Sequence, residues 1–210
     1  MNQKNGKNSL GLDIIFEDLD NPIELFKKWF LKAEKSEIND PNAVAVATSN
    51  KHNQPNVRMV LLKGLTDKGF VFYTNFNSKK GTELKENQKA SMCFHWKSLR
   101  RQVRAIGKVE EVSSKEADDY FNSRPYKNRI GAWASSQSEI LDQRETFNNK
   151  IKQFEKKFPD QKNVPRPPHW SGWRLLPEEI EFWLDGDGRI HERLNYRKNN
   201  GKWEKELLYP

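Results

Sequence analysis

Apolar side chains recur at the helical period after Pro22, where Phe26, Trp29, Phe30 and Ala33 fall on one face. Asn21 is a fitting N-cap, Pro22 suits the first helical position, and Glu24 stands where it completes a capping box. The pattern predicts a helix that is over by Asp40-Pro41-Asn42. Beyond that point the chain reads as strands. Ala43–Thr48, Val57–Lys63, Phe70–Thr74, Ala90–Trp96 and Gln102–Val112 are β-rich runs divided by turn residues. The segments 52–56 and 66–69 have the length of hairpin turns. Short helices are predicted at Lys79–Asn87 and Ser114–Ser123; Ser113 and Glu116 cap the second and Pro125 stops it. Ser138–Phe158 is the longest helical candidate, and Pro165, Pro167 and Pro168 make an extended connector after it. Strands return at Trp170–Leu176, Ile180–Leu184, Arg189–Tyr196 and Lys202–Leu208, with turns at 185–188 and 199–201. No internal repeat is evident.

Successive strands joined by tight turns must run antiparallel, which excludes a doubly wound α/β fold. The expected class is mainly β with peripheral helices (α+β), an antiparallel barrel whose closure removes exposed edges. Residues 20–210 form one domain on this reading. Residues 1–19 are expected to be a flexible arm, because only Leu10, Leu12, Ile14, Ile15 and Phe16 offer anything to bury.

Composition sharpens the picture in two ways. Of 210 residues only 35% are apolar, and mean hydropathy is −0.98, yet aromatics reach 11% with 12 Phe and 7 Trp. Disordered chains avoid aromatics, so a thin, aromatic-rich core is expected. No apolar run approaches the roughly 20 residues of a membrane helix. Met1–Ser9 lacks the apolar stretch of a secretory signal, and Cys93 has no cysteine with which to pair. A cytoplasmic protein is the expectation. The net charge of +8 admits nucleic acid, anionic membrane or small anions as partners. Acidic residues interleave with the basic ones and no nucleic-acid-binding signature occurs, so neither nucleic acid nor a membrane is the expected partner.

Five constellations carry candidate chemistry. Arg58-Met59-Val60-Leu61-Leu62-Lys63 is an apolar run bracketed by cations. On a strict pleat positions 58 and 63 face opposite sides, so they serve one ligand only if Lys63 lies past the strand end or the site lies between subunits. Tyr73-Thr74 leads into Ser78-Lys79-Lys80, where a helix start and two ammonium groups suit a phosphate, though they equally suit a capped surface helix. Gln102 shares a strand face with Arg104 and offers hydrogen bonds to a heterocycle edge. Tyr120 and Arg124, four apart with Asn128 nearby, suit an anion clamp. Arg189, His191 and Arg193, at spacing two beside Trp183, are read as one cationic row on one side of one strand. No G-x-S-x-G elbow exists, and His52, His95, His169 and His191 lack metal-ligand spacing, so no metal site is expected.

The order R-M-V-L-L-K, F-Y-T-N, S-K-K-G, R-Q-V-R, Y-F-N-S-R-P, I-G-A-W-A-S-S-Q-S and E-F-W…R-I-H-E-R, across residues 20–206, closely resembles the pyridoxamine 5′-phosphate oxidases of the FMN-binding split-barrel family. The resemblance implies a homodimer with FMN bound between subunits. It implies oxidation of pyridoxamine or pyridoxine 5′-phosphate to pyridoxal 5′-phosphate, with hydride passing from substrate C4′ to the flavin. Dioxygen would take the electrons as hydrogen peroxide, and the amine substrate would also release ammonia. Carried over by position, FMN would be held by Arg58 through Lys63, Tyr73, Thr74, Lys79, Lys80, Gln102, Gln137, Ser138, Trp183 and Arg193. Arg58, Ser78 and the two lysines would hold its phosphate. Lys63, Tyr120, Arg124 and Asn128 would hold the substrate phosphate. Arg189 and His191 would cover the pyridine ring as the catalytic pair, and Arg193 would offset charge on the reduced flavin.

The chain departs from the family pattern at Asn128 for serine, Lys79 for arginine, Leu184 for glutamine and Leu207 for arginine, and its arm lacks R-x-x-Y. A split-barrel oxidase of the phenazine-biosynthesis type is the enzymatic rival, and a non-catalytic flavin or pyridoxal phosphate binder the other. The intact Lys63, Tyr120 and Arg124 set speaks against a substrate that carries no phosphate.

Overall fold

The computed structural model describes residues 6–210, so the first five residues of the expected arm lie outside it. Helix α1 spans Pro22–Ser36, and the Asn21 side chain accepts from the Ile23 N–H as the cap predicts. Nine strands follow: β1 (Ala43–Ser49), β2 (Pro55–Leu61), β3 (Gly64–Thr66), β4 (Gly69–Asn75), β5 (Lys89–Trp96), β6 (Arg101–Glu111), β7 (Trp170–Leu184), β8 (Glu192–Asn199) and β9 (Lys202–Leu207). Helix α2 (Lys79–Glu86) sits between β4 and β5. Helices α3 (Ser114–Ser123), α4 (Tyr126–Ala134) and α5 (Arg144–Lys157) separate β6 from β7.

All strand pairs are antiparallel, in the order β2-β1-β5-β6-β7-β4-β3, with β8 and β9 continuing from the far half of β7. The two strands at the ends of this order, β2 and β3, are joined by Leu62 and Lys63 alone. Two residues span about 10 Å at most, so the sheet must curl until its ends meet. The seam is stitched by the Leu62 N–H to Asn42 O and the Lys63 N–H to Val71 O, each 2.8 Å. The result is the expected α+β antiparallel split barrel, a curled half-barrel with five helices.

Helix α1 fills the inside of the curl. Phe26 packs against Phe70 and Phe94 at 4.9 Å between ring centroids, and Trp29 against Phe182 at 5.1 Å, edge to face. These pairs add specific geometry to large buried areas, which is how a chain poor in aliphatic residues assembles a core. A second aromatic cluster, around Phe121 and Trp170, lies under α3, α4 and α5.

Several expectations change. Of the arm expected over residues 1–19, the described part is docked against the barrel. Phe16 is fully buried on Trp29, Leu12 is buried, and the Trp29 indole donates to Ile15 O at 2.9 Å. The polar residues of the segment supply the turns: Asn8 Oδ1 accepts from the N–H groups of Leu10 and Leu12. Residues 138–143 are not helical, with Ser138 at φ 76°, and α5 begins only at Arg144. The two strands expected between 170 and 184 are one 15-residue strand with a register shift opposite Ile106 and Gly107. There β6 and β7 approach so closely that a Cβ on Gly107 would lie 2.0 Å from Leu176 O.

The hairpin expected at 185–188 is longer than read, and β8 starts at Glu192. Arg189, at φ 64°, closes a short 3₁₀ turn and is exposed, while His191 lies just before the strand. Arg189, His191 and Arg193 therefore do not share one strand face. The spacing-two argument requires extended backbone, and a left-handed residue breaks it.

Candidate active site

A cleft of about 1050 Å³ opens between β2, the end of β4, the start of α2, and α3 with α4. Its floor is the alternating strand β2. Arg58 and Val60 turn inward half-buried, while Val57 and Met59 stand out on the other face, each 63% exposed. Lys63 lies past the end of β2 and lines the same cleft as Arg58; Val57, Met59 and Leu61 line it too, so the cleft borders both faces of the strand and position parity does not separate the two cations.

Of the residues singled out from sequence, Arg58, Met59, Val60, Leu61, Lys63, Tyr73, Thr74, Lys79, Lys80, Gln137 and Ser138 line this cleft, as do Tyr120, Arg124 and Asn128. Leu62 is in the barrel core instead. Ser78 is buried behind the wall as the cap of α2, donating to Asn75 O at 2.6 Å. Trp170 and Phe147 also line the cleft, with no motif to announce them, as does Ser135 from within the I-G-A-W-A-S-S-Q-S run.

One end of the cleft is cationic. Lys80 is buried, and its Nζ donates to Thr74 Oγ1 and Gln137 Oε1 at 2.9 Å and to Ser78 Oγ at 3.4 Å. All three partners are neutral. Burial, and then the neighbouring Arg58 cation, push the Lys80 ammonium down to about 8 against the opposing pull of Glu83. Arg58 donates through Nη1 to Val46 O (3.1 Å) and Thr48 Oγ1 (2.5 Å), and through Nη2 to Glu83 Oε2 (3.1 Å). Lys79 is exposed at the first position of α2, where N–H groups and the helix dipole favour an anion.

The other end is aromatic. Tyr120, Tyr73 and Trp170 form a near-parallel stack, with Tyr120–Tyr73 at 4.0 Å and Tyr73–Trp170 at 5.3 Å. Arg124, which follows α3 in extended conformation, lies 4.7 Å over the Trp170 ring. Its Nη1 is buried without a hydrogen-bond partner, and burial first, aided by Arg129, lowers the guanidinium's affinity for its proton. Burial, reinforced by the Glu116 carboxylate, holds the Tyr73 hydroxyl up at about 12, so it stays a donor at neutral pH. An unpaired donor on a fixed guanidinium beside the Tyr120 phenol, in a cleft that Lys63 also lines, is a ready receptor for a second anion.

Gln102, Trp183, Arg189, His191 and Arg193 do not line this cleft, and all but Arg189 gather elsewhere on the protomer. Gln102 faces Trp183 across β6 and β7, and Trp183 faces Arg193 across β7 and β8, so the three share a sheet face. His191 packs on Trp183 at 4.7 Å. Its Nδ1 lies 3.1 Å from both the Gly186 N–H and Asp185 Oδ1, and Arg100 braces Asp185 at 2.8 Å. Arg193 is held by the buried Glu181 at 2.8 Å, which Arg104 also contacts, and by Tyr209 O at 2.8 Å. Among the described residues no group of three or more His, Cys, Asp or Glu side chains converges to hold a metal.

A sequence profile described as pyridoxamine 5′-phosphate oxidase matches residues 30–158, and one described as the pyridoxine 5′-phosphate oxidase C-terminal dimerisation region matches residues 170–210. The pyridoxine/pyridoxamine 5′-phosphate oxidase of Pelagibacter ubique is 58% identical over 207 residues, covering 98% of this chain and 100% of that protein. The protein of the same name from Rhizobium etli is 53% identical, covering 93% of this chain and 95% of its own. Among solved structures, PhzG from Burkholderia lata 383, in complex with tetrahydrophenazine-1-carboxylic acid, superposes with a TM-score of 0.88. It is 28% identical, with 98% of this chain and 100% of that chain covered. A pyridoxamine 5′-phosphate oxidase-related, FMN-binding protein from Nostoc punctiforme shares the fold at TM-score 0.72 and 17% identity, over 90% and 98% of the two chains.

Proposed function

The chain belongs to the pyridoxamine 5′-phosphate oxidase family, and from that premise we propose that it oxidises pyridoxamine and pyridoxine 5′-phosphate to pyridoxal 5′-phosphate with FMN as resident cofactor. The observation that carries the reading is one cleft with two separate anion receptors, at Lys80 and at Arg124. A buried ammonium bonded only to neutral groups and a buried guanidinium nitrogen without a partner each call for an anion. Two phosphates, one on a flavin and one on a substrate, meet that demand.

On this reading Arg58, Lys79 and Lys80 hold the FMN phosphate, with Ser78 fixing the helix start and Thr74 and Gln137 holding Lys80 in place. Met59 to Leu61, Tyr73 and Ser138 line the path of the flavin. Lys63, Tyr120, Arg124 and Asn128 hold the substrate phosphate, so that binding at a remote group sets the position of the reacting carbon. Bound FMN supplies hydride removal from substrate C4′ and return of the electrons to dioxygen as hydrogen peroxide. Arg189 and His191 cover the pyridine ring, and Nε2 is the His191 nitrogen free to meet it, since Nδ1 is occupied by Gly186 and Asp185. Gln102, Trp183 and Arg193 contact the flavin from the other subunit.

The homodimer is part of this reading. It is supported by the match of residues 170–210 to a dimerisation region and by the exposed apolar face of β2. A cytoplasmic setting goes with it, supported by the unpaired thiol of Cys93. The phenazine-type reading is weaker, because identity falls from 58% to 28% and because Lys63, Tyr120 and Arg124 are all in the cleft.

Purified protein is expected to be yellow, with flavin absorbance that bleaches anaerobically on adding pyridoxamine 5′-phosphate. Protein that is colourless and cannot be reconstituted with FMN overturns the proposal, as does bleaching by a dihydrophenazine acid alone.

A further inference from the structure

Among the described residues Glu83 is the carboxylate bonded to Arg58 at the cationic end of the cleft, and the proposed function gives it no role. It sits on α2, one turn after Lys79 and Lys80, and only 4% of it is exposed. Its Oε2 accepts from Thr48 Oγ1 and from Arg58 Nη2, and its Oε1 from Asn56 Nδ2 at 3.3 Å. Burial alone would push this carboxyl up, but the three donors outweigh it and hold it below the usual carboxylate range. Glu83 is therefore a buried anion among the groups assigned to phosphate binding.

Its effect on Arg58 follows from counting donors. The guanidinium has five N–H groups. Two on Nη1 go to Val46 O and Thr48 Oγ1, and one on Nη2 goes to Glu83. Among the described residues the Nε hydrogen and the second Nη2 hydrogen have no partner. These two lie on one edge of the guanidinium plane and form the fork that matches two phosphate oxygens. Glu83 and Thr48 together grip the opposite edge, and Thr48 is itself bonded to Glu83, so the grip is a closed triangle.

We infer that Glu83 is a positioning residue for cofactor phosphate binding: it locks Arg58 with its free fork towards the cleft. The inference rests on the reading of this end of the cleft as the FMN phosphate site. A purely structural role would make Glu83 matter equally to every ligand of the fold, whereas a positioning role makes it matter to the phosphate alone.

The test compares FMN with riboflavin, which lacks the phosphate, by quenching of flavin fluorescence on flavin-free protein. Glu83→Ala is expected to weaken FMN binding on the order of tenfold to a hundredfold, the range for a lost hydrogen bond to a charged group, and to leave riboflavin affinity unchanged. Because Glu83 acts through Arg58, the double variant with Arg58→Ala is expected to bind FMN no more weakly than Arg58→Ala alone. Wild-type FMN affinity in Glu83→Ala, equal losses for FMN and riboflavin, or additive losses in the double variant each overturn the inference. If Glu83→Ala does not fold, Thr48→Val opens the same triangle. It is expected to lower the FMN-to-riboflavin preference by a smaller factor, and an unchanged preference overturns the inference. A wild-type protein that binds FMN and riboflavin alike would instead refute the phosphate cradle itself.

Discussion

Lys80→Met in flavin-free protein tests whether the buried ammonium is a cost that the fold carries for the sake of a ligand. The Lys80 ammonium titrates at about 8 in the folded chain against 10.5 for an ordinary lysine. The difference, 10.5 − 8 = 2.5 pH units, corresponds to about 3 kcal/mol of destabilisation. Between these two values the unfolded chain binds more protons than the folded one, so stability rises with pH across that window. The cost is thus complete below pH 8 and gone by about pH 10.5. Methionine keeps the length of the side chain and removes the charge, but it forfeits the hydrogen bonds to Thr74 and Gln137, at about 1 kcal/mol each. At pH 7 the variant is expected to be the more stable by about 1 kcal/mol, or roughly 2–4 °C in Tm for a chain of this size. At pH 10.5 only the lost hydrogen bonds remain, and the order reverses. Thermal unfolding at pH 7, 8.5 and 10.5, at one protomer concentration, reads the crossover. Adding FMN at pH 7 is expected to raise the Tm of the wild type and not of the variant. A variant less stable than wild type at pH 7, or a difference that does not change with pH, refutes the reasoning.

Two further outcomes are expected. Phe16→Ala removes a fully buried ring that packs on Trp29 at 5.3 Å, and should cost about 3–5 kcal/mol in urea unfolding; a change within error would mean that the docked segment contributes nothing to the fold. Asp185→Asn takes the carboxylate from His191 Nδ1, and turnover is expected to fall on the order of tenfold, about 1.4 kcal/mol of barrier, with little change in KM. Unaltered kcat would separate Asp185 from the chemistry.

Capping residues made the helix starts legible, since Asn21 and Ser113 each cap through their own side chains, although the Glu116 carboxylate of the expected box is taken by Arg174 instead. Proline was harder to read, because it marks boundaries without saying which kind. Pro125 ends α3 as expected, but it also stands at the head of α4, accepting from the Asn128 N–H, so a residue read as a stop is also a start, with Tyr126, Ile130, Trp133 and Ala134 at helical spacing after it. Pro177 looks like the gap between two strands, whereas the bulge facing Ile106 and Gly107 takes the proline into one continuous strand. Arg189, His191 and Arg193 were read as a row because alternation assumes that the strand has already begun. The turn from 187 to 189 delays it to Glu192. Glu83, Trp170 and Phe147 carry no motif, and their place at the cleft follows only from the way α2, β7 and α5 pack.

The division of the site into two clusters has a consequence for the surplus of positive charge. Within one protomer the cleft holds both of the cationic groups proposed to receive phosphates, while Gln102, Trp183, His191 and Arg193 stand on the β6-β7-β8 face outside it. No local sequence spacing could join the two sets, because Gln102, Trp183 and Arg193 meet only through strand register. In a twofold dimer each protomer would present both sets once, and each site would draw one set from each copy. The cations then face a ligand across an interface rather than bulk water. There the low dielectric strengthens their hold on phosphate and penalises them when the ligand is absent. Lys80, with its depressed titration and its neutral partners, shows that penalty already within the single chain. On the proposed reading, filling the cleft relieves it, so cofactor binding, folding and assembly draw on the same few charges.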